Sequence, residues 1–477
     1  MIEAVGRRHY RALVGAGLLL AGLLVLPDAA LAHGLSGRSD PPIPGWLFAW
    51  GAAIVLAVSF FAFALLWREP ILEHAIERPV IRVPQIVEVA CGVVGVVVFV
   101  AVLYAGFAGS QVASDNILPT FTYVLFWAAL PFLCALFGNF FAAFNPWRAV
   151  GRFCGWAVSG ISGKELPPTF EYPDQLGRWP AVAGILAFGW LELVSTAGSD
   201  PSFIALMALI YALIQLTGMS LFGVAHWTER GDGFAGYFDL FGRMAPLTVK
   251  NGQLLSRKFL AGLSELHSHA GTVALICTGI GVTAFDGLAE GPLWAGMDRH
   301  IESVLSGAGF SSRPALQISY TLGMLLCVAA VVGIYRLGVA GMNGIGSGMT
   351  TAQLSRTFAP SLVPIILAYV VAHYLSLVLF QGQALYALVS DPLGNGSDFF
   401  GGAGFVVHYT LVSGQIIWYA QVAALVLGHV LALAVAHDKA LAVFGKARTA
   451  VTSQYWMLVV MIGFTTLGLW LLSVSNS

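Results

Sequence analysis

Apolar runs of roughly twenty residues recur along this chain, each closed by a turn residue or a charge. An α-helix needs about that length to cross a hydrocarbon core of about 30 Å. The runs stand at 46–67, 85–108, 117–144, 180–197, 202–227, 271–288, 315–335, 360–385, 413–436 and 455–472. They predict an all-α, polytopic transmembrane helix bundle of about ten spans. The eighth run is not cleanly apolar. Tyr369, His373, Ser376 and Gln383 fall four, three and seven residues apart, so they share one helical face. A polar group without a partner is costly in hydrocarbon, so this stripe must face protein or a water-filled cavity.

Other spans carry similar interruptions. The fourth places Glu192, Ser195, Thr196 and Ser199 on one face, and the sixth does the same with Thr283, Asp286 and Glu290. The fifth carries Tyr211, Gln215 and His226, and the ninth Gln421 and His429, with His437 where the helix leaves the membrane. The pattern separates into an outer set (Glu192, Asp286, Gln381, Gln383), a middle His373, and an inner set (His429, His226, Asn139, Glu88). A charged residue at mid-helix costs about 2.5–3.5 kcal/mol, so Glu192, Asp286 and His373 are the candidate catalytic residues. Three readings fit them. They form a metal or acid/base site opening outward, where carboxylate and imidazole suit zinc, manganese or iron and a bound water becomes a nucleophile. Or they belong to a ladder for protons or ions, with Gln381, Gln383, Gln421, His429 and His226 as a secondary polar path. Or they are satisfied contacts that fix helix register.

Composition narrows the class. With 58% hydrophobic and only 10% charged residues, the chain is no water-soluble domain. A net charge of −1 leaves no basic surface for nucleic acid, so the expected partners are the lipid bilayer and a small-molecule substrate or ion. Arg7, Arg8 and Arg11, the apolar run 13–26, Pro27 and then Ala30-Leu31-Ala32 follow the grammar of a secretory signal. Residues 1–32 therefore read as a signal peptide or an uncleaved first helix, 33–45 as an outer arm, 46–474 as the transmembrane domain and 475–477 as an outer tail. With His33 outside, nearly all basic residues from Arg68 to Arg448 fall in inner loops, and only Arg38, Arg299 and Arg313 remain outside. Both termini of the mature chain are then expected on the outer side. Cleavage after Ala32 would free the His33 amine, which with its ring nitrogen chelates a metal such as copper; His408, and His373 deeper in, are the further metal-ligand candidates. His267 and His269 form a weaker pair.

The loops contribute less chemistry. Phe234, Tyr237, Phe238 and Phe241 share a face opposite Asp232, Asp239 and Arg243, which predicts a helix lying in the inner interface. The glycine-rich 338–349 lacks the Lys-Ser/Thr ending of a phosphate loop and reads as a hinge. Ser-Asp-Pro occurs at 39–41, 199–201 and 390–392 and reads as turn chemistry. The five cysteines show no zinc spacing, and no disulfide is expected.

Several stretches carry a resemblance: AHGLSGRSDPPIPGWLFAWG, FNPWRAVGR, VTAFDG, AYVVAHYLSLVLFQGQ, and GHVLALAVAHDKAL through SQYWMLVVMIGFTTLGLWLL. Together they resemble a family of bacterial multi-pass membrane proteins named fenitrothion hydrolases, over nearly the whole chain. The resemblance implies hydrolysis of an organophosphate triester in the bacterial cytoplasmic membrane, with release of a nitrophenol. It carries over no catalytic residue. Such hydrolysis needs an activated water and a cation on the phosphoryl oxygen, which a divalent zinc, manganese, iron or copper site would supply. The residues themselves leave two alternatives open: a secondary transporter or proton-translocating protein, and a copper-handling protein that uses His33.

Overall fold

A computed structural model describes residues 45–73, 75–163, 167–345 and 348–475. The signal-like segment and His33 lie outside the described residues. The chain begins with α1 (Gly45–Leu66), β1 (Arg78–Arg82) and α2 (Gln85–Ala108). It continues through α3 (Ile117–Phe137), α4 (Phe140–Phe144) and α5 (Pro146–Ser162). Next come α6 (Trp179–Leu193), α7 (Pro201–Phe222), α8 (Val224–Arg230) and α9 (Gly233–Gly242). A hairpin of β2 (Leu247–Lys250) and β3 (Gln253–Ser256) leads to α10 (Thr272–Ala289) and α11 (Pro292–Gly307). The chain closes with α12 (Ser312–Ala340), α13 (Thr351–Phe358), α14 (Val363–Ser390), α15 (Gly414–Phe444) and α16 (Ala447–Ser475).

Among the described residues, eight helical stretches are long and apolar enough to cross a membrane, and two shorter apolar helices lie within α1 and at α6. These ten stand where ten spans were expected, and the protein is a membrane-embedded α-helical bundle. Where helices touch, small residues let backbones approach, as in many membrane interfaces. A Cβ added at Gly95 of α2 would overlap the Phe144 carbonyl, and one at Gly428 of α15 would overlap Ala368 of α14.

Four features depart from the expected map. The third span is not one helix. Within α3, Phe121–Ala129 is a π-helical stretch in which Leu130 N–H reaches back to Leu125 O. It ends just before Pro131, whose ring excludes an ordinary bond to the fourth residue back. Gly138, at φ 101°, then turns the chain into α4. The fifth span breaks likewise at Gly223, φ 83°, between α7 and α8.

The aromatic helix predicted for the interface, α9, is instead buried at every position but Asp239. Its aromatic face meets Trp127, Phe126, Phe141 and Phe188. The opposite face is Gly233, Gly236 and Ala235, small enough for α6 and α10 to close over it. Surface amphipathicity belongs to α5, where Phe153 and Trp156 are 63% and 72% exposed. Finally, the basic end carries an antiparallel sheet of order β1-β3-β2, built on an Asn251-Gly252 turn with φ of 50° and 69°. Such a two-residue turn favours Asn-Gly because both residues need positive φ.

The loop after α1 is held by three consecutive residues of α15. Buried Asp438 accepts from Trp67 Nε1 (3.0 Å), the Ile71 amide (2.5 Å), the Leu72 amide (3.0 Å) and the Glu73 amide (3.0 Å). His437 Nε2 lies 2.9 Å from Trp67 O, and Lys439 pairs with Glu73. Asp438→Ala leaves these donors without an acceptor, so a stability loss of about 2–4 kcal/mol is expected. Thermal unfolding and limited proteolysis of the segment 67–73 measure it; unchanged cleavage would refute the anchor.

Candidate functional site

Two short parallel helices set the depth of the site. α6 and α10 start side by side at the basic end, where the Arg178 amide donates to Ala270 O (2.6 Å) and Gly271 abuts the Arg178 backbone. Each helix then carries one acid at its far end. Glu192 and Asp286 lie thirteen and fourteen residues along from Trp179 and Thr272, so a common start places them at a common depth. With fifteen residues, α6 is about 22 Å long and falls short of a hydrocarbon core of about 30 Å. The turn after it is tied to α3 by the Tyr123 hydroxyl, which donates to Gly198 O at 2.5 Å.

α14 supplies the groups that join the two acids. His373 lies ten residues from the start of α14 and seventeen from its end, about 15 Å and about 25 Å along the axis. His373 Nε2 is 2.9 Å from Asp286 Oδ2. The neighbouring Tyr374 hydroxyl donates to Asp286 Oδ2 at 2.8 Å and lies 3.5 Å from Glu192 Oε1. Trp127 Nε1, from the π-helical stretch of α3, donates to the Tyr374 oxygen at 3.1 Å. A π-helical segment lining a site is a recurrent arrangement, because the widened turn re-aims its side chains.

The cluster is unevenly satisfied. A phenol has one proton, and the shorter distance assigns it to Asp286. Glu192 Oε2 is buried and has no hydrogen-bond partner among the described residues. By contrast, the His373 and Asp286 side chains keep 19% and 16% of their exposure. From Leu375 to Leu385 every residue of α14 is only partly buried.

Thus Glu192, Asp286 and His373 come together, through Tyr374. The other singled-out residues do not join them in a continuous hydrogen-bonded path. His429 is buried, with Nδ1 2.7 Å from Leu425 O of its own helix and Nε2 without a partner. Gln421 is buried on the same helix. Gln383 binds the main chain of His408 (3.0 Å), and Gln381 reaches the Tyr409 hydroxyl (3.4 Å). Gln383 is ten residues beyond His373, about 15 Å along α14, so exposed His408 is anchored far from His373. His226 is exposed, Glu88 pairs with Arg148 (3.2 Å) and Arg152, and Asn139 caps α4. His269 faces Glu229 at 3.3 Å. Among the described residues, no group of three or more His, Cys, Asp or Glu side chains is arranged to hold one metal ion, and His373 Nε2 is engaged with Asp286.

Sequence reasoning missed Tyr374 and Trp127. Tyr374 lies about 100° around the helix from the polar stripe, so periodicity did not select it. The only local signal was a phenol beside an intramembrane imidazole.

These features define a class: a polytopic α-helical membrane protein with a carboxyl, phenol and imidazole cluster at mid-bundle. No family model matches the chain, and no curated protein or solved structure matches it either.

Proposed function

We propose that this protein is a proton-coupled transporter in which Glu192, Tyr374, Asp286 and His373 form the proton-handling site. The observation that carries this reading is one phenolic hydroxyl placed between two carboxyl groups, 2.8 Å from Asp286 and 3.5 Å from Glu192, the second of which has a buried oxygen without a partner among the described residues. A buried carboxyl in that state must hold a proton or a cation, since an unpaired charge in the interior is costly. His373, which keeps 19% of its exposure, takes a proton and passes it to Asp286; rotation of the Tyr374 hydroxyl connects Asp286 with Glu192. Each transfer needs only the chain's own groups. The distribution of basic residues makes the arginine-rich end cytoplasmic in this proposal.

In proteoliposomes loaded with a pH-sensitive dye, wild-type protein should carry protons when its solute is supplied, and Glu192→Gln should abolish that flux without unfolding the bundle. Proton flux equal to wild type in E192Q would reject the site.

A second reading keeps the organophosphate triester hydrolysis that the resemblance implies. It is favoured by the contact between His373 Nε2 and Asp286, since a carboxylate that orients an imidazole makes it a general base for water. Nitrophenol release from fenitrothion by detergent-purified protein, compared with His373→Ala and with a chelator present, tests it. No release by folded wild type removes this reading.

A further inference from the structure

The segment between α14 and α15 turns back along α14 instead of running out from the bundle. Its first turn is knotted to Ser390, the buried last residue of α14: Ser390 Oγ donates to Asp398 Oδ1 (2.7 Å) and accepts from the amides of Phe400 (2.9 Å) and Gly402 (3.1 Å). From there the contacts step down the helix. The Tyr386 hydroxyl donates to Phe400 O (3.2 Å), and the Tyr386 ring meets Phe405 at a centroid distance of 5.4 Å. Gln383 Oε1 then accepts from the His408 amide (3.0 Å), and Phe380 meets Tyr409 at 5.5 Å. Phe380 and Ser390 are ten residues apart, so the segment descends about 15 Å along the helix axis.

Depth follows from the helices beside it. With 28 residues α14 is about 42 Å long, close to the thickness of a bilayer with its headgroup layers, about 40–45 Å. A segment along its last 15 Å therefore occupies the headgroup layer and the edge of the hydrocarbon, in the leaflet remote from the basic end. α15 begins only at the bottom of that descent. Gly428, fourteen residues into α15, meets Ala368 and the Pro364 carbonyl, twelve and sixteen residues before Phe380, so Gly414 starts level with Phe380. The last turns of α14 thus have this segment for a neighbour where α15 is absent.

Its chemistry suits that depth. Phe399, Phe400, Val406 and Leu411 are each at least 64% exposed, and from Phe399 to His437 the chain carries no Asp, Glu, Lys or Arg. The apolar patch continues into exposed Tyr386 and Val389 of α14 and Ile416 and Tyr419 of α15, spanning helices whose outer faces meet lipid. Irregular backbone near hydrocarbon needs partners from protein, and here Ser390, Tyr386 and Gln383 supply them to Phe400, Gly402 and His408.

We propose that residues 399–411 are a membrane-inserted segment, lying in the interfacial layer with Phe399, Phe400, Val406 and Leu411 against lipid. A contiguous apolar patch of this kind marks an interaction surface, and aromatic residues favour the boundary between headgroups and chains. The proposal does not rest on proton transfer at Glu192.

The test uses the full chain in phosphatidylcholine nanodiscs, with a nitroxide label on Phe400→Cys, Val406→Cys or Leu411→Cys. Asn395→Cys, on the exposed turn after α14, is the water reference. Exposed Cys154 is replaced by serine throughout, and the protein without an introduced cysteine is the blank. Collisions with oxygen, which dissolves in lipid, should exceed those with a water-soluble nickel chelate at 400, 406 and 411, and their ratio should rise from 400 to 411. At 395 the nickel collisions should dominate. Should one labelled variant fail to fold, the other two carry the comparison. Labels at 400, 406 and 411 that meet nickel as freely as the label at 395 would overturn the proposal and make the patch a docking face for another protein.

Discussion

Asp232→Ala is expected to destabilise the bundle by about 3–5 kcal/mol, the range seen when one partner of a buried charged network is removed. Asp232 is fully buried at the start of α9. Its Oδ1 accepts from the Tyr211 hydroxyl (2.9 Å) and the amides of Phe234 and Ala235 (3.1 Å each). Its Oδ2 accepts from Asn145 Nδ2 (3.0 Å) and Trp147 Nε1 (2.5 Å). Alanine would strand five donors at once and free the helix end that packs Tyr237 against Trp127 at a centroid distance of 5.0 Å. Asp232→Asn should fall between wild type and alanine, since an amide keeps an acceptor for the α9 amides but turns its own donors toward Asn145 and Trp147. Unfolding of the purified variants in detergent measures this. A midpoint for D232A close to that of wild type would show that water replaces the carboxylate and that Asp232 does not anchor α9.

Tyr374→Phe separates architecture from chemistry. The substitution removes one hydroxyl from a ring buried among α3, α6 and α10, so the bundle should fold with a loss of about 1–2 kcal/mol for the orphaned Trp127 Nε1 and Asp286. Proton-coupled flux should fall by about a hundredfold, a typical loss when a positioned acid–base group is deleted. Unaltered flux in a folded Y374F would exclude the phenol as the link between Asp286 and Glu192. The same variant also separates the two functional readings. Hydrolysis by a His373–Asp286 pair needs no phenol for its geometry, so Y374F should change nitrophenol release far less than His373→Ala does.

How much of this was legible beforehand follows from the range of each interaction. The ten apolar stretches could be read directly because crossing a hydrocarbon core is a demand on length and local composition, and α2 occupies the predicted 85–108. Intramembrane Glu192, Asp286 and His373 were visible for the same reason: each is costly where it stands, whatever surrounds it. The β2–β3 hairpin went unread although Asn251-Gly252 announced it, because β1, its other sheet partner, joins from more than 160 residues away. The aromatic face of α9 suggested a lipid-facing helix, and only its neighbours revealed that the glycine face is covered as well.

The amino-acid sequence alone thus determined that this is a many-helix membrane protein with a few ionisable groups kept in the apolar interior. Tertiary structure decided which of those groups work together. Glu192 and Asp286 share a depth because α6 and α10 start against each other at Arg178 and Gly271, and Tyr374 lies between them because α14 packs along α10. His429, His408 and His226 were equally conspicuous along the chain and stay apart from the cluster. Helix periodicity tells which residues share a face. Which faces meet, and at what height, depends on contacts between segments distant in the chain, which no local pattern encodes.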